Sequence, residues 1–434
     1  MTHTRTRTAA AAVAAVAVLG SLTGCGSGGG DGKSLTYWSM WTENEPQAAV
    51  LKSAIKDFTQ DTGIKVNVQW QGRTVMEKLA PTLTSGKVPD LVDQSDDKLY
   101  PTLVQTGRAK DLSGVFERPA TGETKPLNKA LKMSYLDYLR GLPDSGGNKW
   151  LVPYEVTSVN LWYNAADRDE PVKAPRTWDE LLDICAQLKD KGRACIAADG
   201  DQPVYILWWL DYLADRIGGD GVMKKAITDK SGKGWDDPAV AEAAEKVREL
   251  ADKGYLLKGY DASKYPEQQN RWAQGKAAFM LNGSWLPTET GKFAAKGFDF
   301  RSAPFPSAVA DKGGRRDATD VRLFGFAVPE QAKNGAAAEK FISYFLARKR
   351  LAGIASKAGN IAPRPDIAAP PLLRDAKEQM ESTPSREQLP GSVTSYTDKA
   401  LYPAYKDLFS GDIGADAFVA KMKKLHVSYH KAKG

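Results

Sequence analysis

Apolar residues fall into two alternating rhythms from residue 35 onward. LTYWSM (35–40) is an apolar run of strand length, and IKVNVQW (64–70) alternates apolar and polar residues with period two. Between them PQAAVLKSAIKDFTQ (46–60) repeats its apolar positions every three to four residues, as an amphipathic helix does. PDLVDQ (89–94) predicts a further strand. Strands alternating with helices imply an α/β fold whose sheet is mainly parallel and covered by helices. KWLVPYEVTSVNLWYN (149–164) is extended for long enough to cross between two lobes, and a chain of 434 residues usually divides into two domains.

The rhythm continues beyond the crossing. Thr177 predicts a helix start, with Trp178, Leu181, Leu182 and Ile184 on the inner face, followed by a short strand ACIAA and the apolar helix PVYILWWLDYLADRIGG. DPAVAEAAEKVRELADKG carries a capping Asp, a Pro just inside the helix and a terminal Gly. AAFMLN (277–282) and LFGFAVP (323–329) read as strands, and helices recur after 335. No internal repeat is evident.

The first residues follow another logic. Arg5 and Arg7 precede an apolar stretch from Ala9 to Leu19, and Leu22, Thr23 and Gly24 lead into Cys25. This is the pattern of a bacterial lipoprotein signal peptide, residues 1–24, after which Cys25 becomes the lipidated first residue, carrying acyl chains such as palmitate. The run is shorter than the ~20 residues a membrane-spanning helix needs. Residues 25–33, rich in Gly and Ser, form a flexible tether. GSGGGDGKS within it imitates a phosphate-binding loop but lacks the first glycine and a preceding strand.

Composition narrows the function classes. The net charge of +7, from 60 basic and 53 acidic residues, is interspersed in sign and gives no nucleic-acid footprint. Cys185 and Cys195 are the remaining cysteines; outside the cytoplasm they can pair, pinning a helix end to the following strand. Of three histidines, His3 leaves with the leader, while His426 and His430 lie one turn apart on what reads as a solvated helix face. SAIK (53–56) and SDDK (95–98) match Ser-x-x-Lys without its companion motifs. Neither a metal nor a cofactor is expected.

A series of landmarks then carries a resemblance. SGKVPDLV, GRAKDLSGV, LVPYEVTSVNLWYN with RTWDELLDICAQL, QGKAAFMLNGSW, GFAVPEQAKNGAAAEKFISYF and AGNIAPRPDI occur in an order that resembles the sugar-specific solute-binding proteins of bacterial ABC importers, the maltose-binding-protein-like family. The resemblance implies two α/β lobes joined by crossing hinge strands, with a ligand cleft between them. It places lobe one at 34–155 and 320–347, and lobe two at 156–319 and 348–434. The pattern of the residues alone gives the crossing near 155 but not the second one.

A sugar presents C–H faces and a rim of hydroxyls, so its receptor needs aromatic planes together with carboxylates, amides or Arg. The chain has 11 tryptophans. By resemblance Trp285 lines the cleft, Asp97 bonds sugar hydroxyls, and Asn360 and Arg364 belong to a loop that touches ligand. Trp208 and Trp209 lie on a helix that begins near the cleft; being adjacent, they point apart. Other candidates follow strand ends, where open sheets bind ligands: Trp41, Glu43 and Asn44, then Gln71, then Asp93 and Gln94. Glu155 stands at the crossover. The expected protein is a lipid-anchored monomeric receptor on the outer face of the bacterial cell membrane, delivering a sugar or oligosaccharide to an ABC permease. A secreted glycan hydrolase, and the same fold with a non-sugar solute, remain as alternatives.

Overall fold

A computed structural model describes residues 32–143, 145–167, 173–219, 221–308 and 318–433. The leader, Cys25 and most of the tether lie outside these. In chain order the strands are β1 (Ser34–Ser39), β2 (Lys65–Trp70), β3 (Leu91–Ser95), β4 (Val152–Thr157), β5 (Val159–Asn164), β6 (Ala194–Ala197), β7 (Ala277–Gly283), β8 (Phe300–Ala303), β9 (Thr319–Ala327) and β10 (Ser385–Glu387). They form two sheets with two separate hydrophobic cores.

In the first sheet β1 runs parallel to β2 and β3, as the alternating pattern requires. β9 joins it antiparallel to both β3 and β4, and β10 runs parallel to β9. The second sheet has the order β6-β7-β5-β8. Only Ser158 separates β4 in one sheet from β5 in the other, so the chain crosses there. The passage from β8 to β9 is the second crossing, which the apolar pattern does not reveal. The chain is thus a two-lobed α/β protein.

Helix Pro46–Thr62 starts on a proline, whose missing N–H costs nothing there, and ends at Gly63 in the left-handed region with φ 72°. Its buried face carries Leu51, Ala54 and Phe58, and the Phe58 ring meets Phe341 and Tyr344 edge-on at 5.3 and 5.2 Å. The helix Arg348–Ser356, expected with lobe two, packs on this same helix: a Cβ at Gly353 would lie 2.8 Å from Val50.

In lobe two, Thr177 caps the helix Trp178–Asp190 by accepting the Glu180 amide at 3.1 Å. The inner face is Trp178, Leu181, Cys185 and Leu188, the set that 3.6-residue periodicity selects; Leu182 and Ile184 are only half-buried. Cys185 on this helix and Cys195 on β6 form a disulfide with Cα atoms 5.0 Å apart. Because the bond closes a short loop, the Cys185→Ser/Cys195→Ser variant should be less stable by about 2 to 3 kcal/mol. Urea denaturation measures this, and a reductant should bring the parent down to the variant.

His426 departs from the expected solvated face. It is fully buried, its Nδ1 within 3.2 Å of the Trp235 indole nitrogen and 2.7 Å of the Tyr396 hydroxyl, its Nε2 2.8 Å from the Asp229 carbonyl. The helix Ala415–Ala432 turns that side inward against the partly apolar segment around Trp235, a tertiary contact that helical spacing alone cannot reveal.

Candidate functional site

A cleft of about 640 Å³ lies between the two sheets. On the first lobe Trp41 follows directly from β1 and is held from two sides. Its indole nitrogen donates to the Tyr154 hydroxyl at 2.8 Å, and the Arg73 guanidinium lies 4.8 Å from the ring centre. Arg73 is fixed in turn by the Met40 carbonyl at 2.8 Å and by an ion pair with Glu45. Phe324 of β9 adds a second ring 6.2 Å from Trp41.

The opposite wall is also aromatic. Tyr205, in the first turn of the helix Pro203–Gly218, stacks on Trp208 at 4.8 Å and 18°. Trp285 comes just after β7, 6.1 Å from both of those rings. Its pose requires the glycine that ends the strand, since a Cβ at Gly283 would sit 2.2 Å from the indole.

Polar groups fill the rim. Glu155 on β4 is buried, bonded by the Gln47 amide at 3.4 Å; burial raises its carboxyl to about 7, with Gln47, Asn360 and Arg73 pulling against the shift. Asp97 shows the reverse outcome. Burial raises it too, but Arg322 at 3.6 Å, with Lys98 and Arg140 behind it, carries the carboxyl down to about 2. Glu289 accepts from the Tyr265 hydroxyl and the Gln269 amide, both at 3.0 Å, and burial holds its carboxyl above the usual range.

The cleft brings together Trp41, Gln94, Asp97, Glu155, Trp285 and Asn360 of the sequence candidates. It does not include the others. Glu43 pairs with Lys52 at 2.8 Å on the exposed surface, and Asn44 is exposed beside it. Gln71 bonds Gln69 at 2.8 Å and Lys78 at 2.7 Å instead. Asp93 is buried below the floor, accepting the Met40 amide at 2.9 Å and the Tyr154 hydroxyl, so it braces the tyrosine that holds Trp41. Arg364 is buried in ion pairs with Glu123 and Asp366, each at 2.9 Å. Trp209 packs on Trp178 and Phe305 in the core; Trp208 is equally buried and serves as the backing of Tyr205.

Sequence reading passed over Tyr205, Glu289, Arg73, Glu45 and Arg322, all of which line the cleft. Tyr205 carried a usable signal, lying at the entry of the apolar helix that holds Trp208. Arg322 carried none, because its strand extends further toward the N-terminus than the apolar run LFGFAVP suggests.

The features of a bacterial extracellular solute-binding protein match this chain over residues 53–381. The chain belongs to that family. Among relatives, a diacetylchitobiose-binding protein of Streptomyces coelicolor is 25% identical over 300 residues, which are 68% of this chain and 62% of that protein, so the match spans less than two thirds of the relative. A multiple sugar-binding protein of Streptococcus mutans is 24% identical over 320 residues, 70% of this chain and 69% of the other. Among solved structures, a chitin oligosaccharide binding protein superposes with a TM-score of 0.72 at 20% identity, covering 92% of this chain and 99% of that one. A cyclo/maltodextrin-binding protein complexed with maltotetraose gives 0.69 at 19%, covering 92% and 98%. These likenesses establish the two-lobed fold of the solute-binding family.

Proposed function

We propose that this member of the family is a carbohydrate receptor that hands a sugar or oligosaccharide to an ABC import permease. The observation that carries the reading is the cleft itself: aromatic planes stand on both lobes, Trp41 and Phe324 facing Tyr205 and Trp285, with carboxylates and amides around them. Planes meet the C–H faces of a pyranose and the rim meets its hydroxyls. A ligand touching both lobes favours the closed arrangement by its differential contacts, which is how binding would be signalled to a permease. The sugar-binding relatives support the same reading.

The test is calorimetric titration across mono- and oligosaccharides, with the sugar recovered afterwards. A receptor binds saturably and returns its ligand intact. Recovery of shortened glycan would favour the hydrolase, and saturable binding confined to peptides or polyols would favour a different solute.

The reading includes a lipid anchor at Cys25, supported by the apolar approach to that cysteine and by relatives named as lipoproteins. Two acyl chains hold a protein on a bilayer firmly and one only marginally. Cys25→Ser should therefore move the protein from the membrane fraction to the soluble fraction on cell fractionation. Unchanged membrane association would remove the anchor from the proposal while leaving the receptor untouched. The protein is taken to work as a monomer, to be checked by sedimentation.

A further inference from the structure

The charges of the cleft are unevenly paired. Each guanidinium that lines it already has a carboxylate: Arg73 pairs with Glu45, Arg322 with Asp97, and Arg140 with Glu387 at 2.9 Å. Arg140 is also committed to the carbonyls of Gln388 and Ser392. Lys98, which donates to the Thr394 hydroxyl at 3.2 Å, and Asp398 also line the cleft and offset each other in charge, which leaves two acidic groups outside this pattern. Among the described residues, neither Glu155 nor Glu289 makes an ion pair; their partners are neutral, the amides of Gln47 and Asn360 for the first and the Gln269 amide and Tyr265 hydroxyl for the second. Glu155 belongs to β4 of the first lobe and Glu289 to the turn of helix after β7 in the second, so the unmatched charges face the cleft from both sides.

Closing such a cleft withdraws from water two carboxyl groups that have no ion-pair partner; burial already raises both, and Arg73, the cation that acts on each, is itself paired with Glu45. An isolated buried carboxylate is costly, and an ammonium partner offsets part of that cost. An anionic sugar, a uronate or a sugar phosphate, would add like charge to a lining in which acidic side chains outnumber basic ones. A neutral hydroxyl would supply one hydrogen bond per carboxylate. An ammonium group supplies both the bond and the compensating charge.

We propose that the preferred ligand is an amino sugar with at least one free, protonated amine, held between Glu155 and Glu289. This rests on the carbohydrate-receptor reading and narrows it to a ligand class. Arg73 stands near enough to act on both carboxylates, and its pairing with Glu45 and seat over Trp41 keep it out of the ligand's place. The aromatic walls are compatible with this class, because a cationic ring also gains from lying over an indole or phenol face.

The experiment compares matched sugars on the unaltered protein by calorimetry near neutral pH. The pairs are glucosamine against glucose, and the β-1,4-linked glucosamine dimer against cellobiose and against its fully N-acetylated form, with glucuronate as the anionic member. The amine-bearing sugar of each pair should bind about 10-fold more tightly at low salt, and the advantage should shrink as salt rises. Glu289→Gln and Glu155→Gln keep side-chain size and should narrow that ratio, with circular dichroism confirming the fold. Equal or tighter binding of the hydroxyl or acetylated partner, or of glucuronate, overturns the amine preference and leaves the receptor standing. Failure of every sugar in the wider panel to bind overturns both.

Discussion

Arg386→Met should lower the stability of the protein by about 3 to 5 kcal/mol, the range for breaking a buried ion pair while leaving its partners in place. Arg386 on β10 is buried against three aspartates: Asp211 at 2.5 Å and Asp215 at 2.8 Å on the helix Pro203–Gly218, and Asp320 at 2.8 Å on β9. Around this cluster Tyr212 donates to the Val159 carbonyl at 2.8 Å and accepts the Asp320 amide at 3.1 Å. The guanidinium thereby ties a lobe-two helix to β9, and Tyr212 ties the same helix to β5. Methionine fills similar volume but removes the cation that the three carboxylates share, so chemical denaturation should show the full deficit near pH 8. The sign of the pH dependence follows from the state of the acids. Burial already raises Asp320 against the pull of Arg386, and without the arginine its folded-state value rises further above the unfolded one. Such groups favour the folded state when protonated, so the deficit should shrink as the pH is lowered toward 5. A deficit that is the same at both pH values would mean that lost packing, not uncompensated charge, is the cause.

The elements legible in the sequence are those whose stability is written locally. Helix Pro46–Thr62 announces itself by proline, periodicity and a following glycine, and Pro238–Asp252 by Asp237, which accepts the Ala239 amide at 3.0 Å. β8 and β10 were not legible because each is short and neither is strongly apolar: Phe300–Ala303 includes Arg301 and Ser302, and Ser385–Glu387 is wholly polar. Both are strands only by virtue of their neighbours, β5 and β9. The second crossing was hidden for the same reason, since the polar start of β9 at Thr319 gains its place from pairing with β10.

The candidate site divides along a similar line. Trp285 and Asp97 carried a resemblance and both reach the cleft. The residues named from strand ends split, since direction after a strand depends on the turn taken: Trp41 faces the cleft, and Glu43 two residues later meets Lys52 outside. Asp97 and its neighbour Asp96 diverge in the same way, the latter buried and facing the amides of Arg140 and Leu323 at 3.4 Å. Polar residues that prove structural, such as Arg364 and Asp93, look identical in sequence to binding residues. Only their partners, Glu123 for one and Tyr154 for the other, distant along the chain, tell them apart.

Trp285→Ala should weaken sugar binding by about 10- to 100-fold while the protein remains folded, because an aromatic platform in a desolvated cleft contributes about 1.5 to 3 kcal/mol. Trp285 is only partly buried and faces the cleft, so its removal exposes rather than hollows the lobe. Trp208 supplies the contrast. It stands 6.1 Å behind Trp285 and stacked under Tyr205, with no part exposed. Trp208→Ala should open a cavity costing about 3 to 5 kcal/mol of stability. It should also weaken binding, but only through the loosened Tyr205. Titration and denaturation on the same two variants separate the roles: Trp285→Ala should shift affinity far more than the unfolding midpoint, and Trp208→Ala the reverse. If Trp285→Ala instead unfolds at a much lower denaturant concentration with its affinity intact, the indole belongs to the core, and the second wall of the cleft reduces to Tyr205.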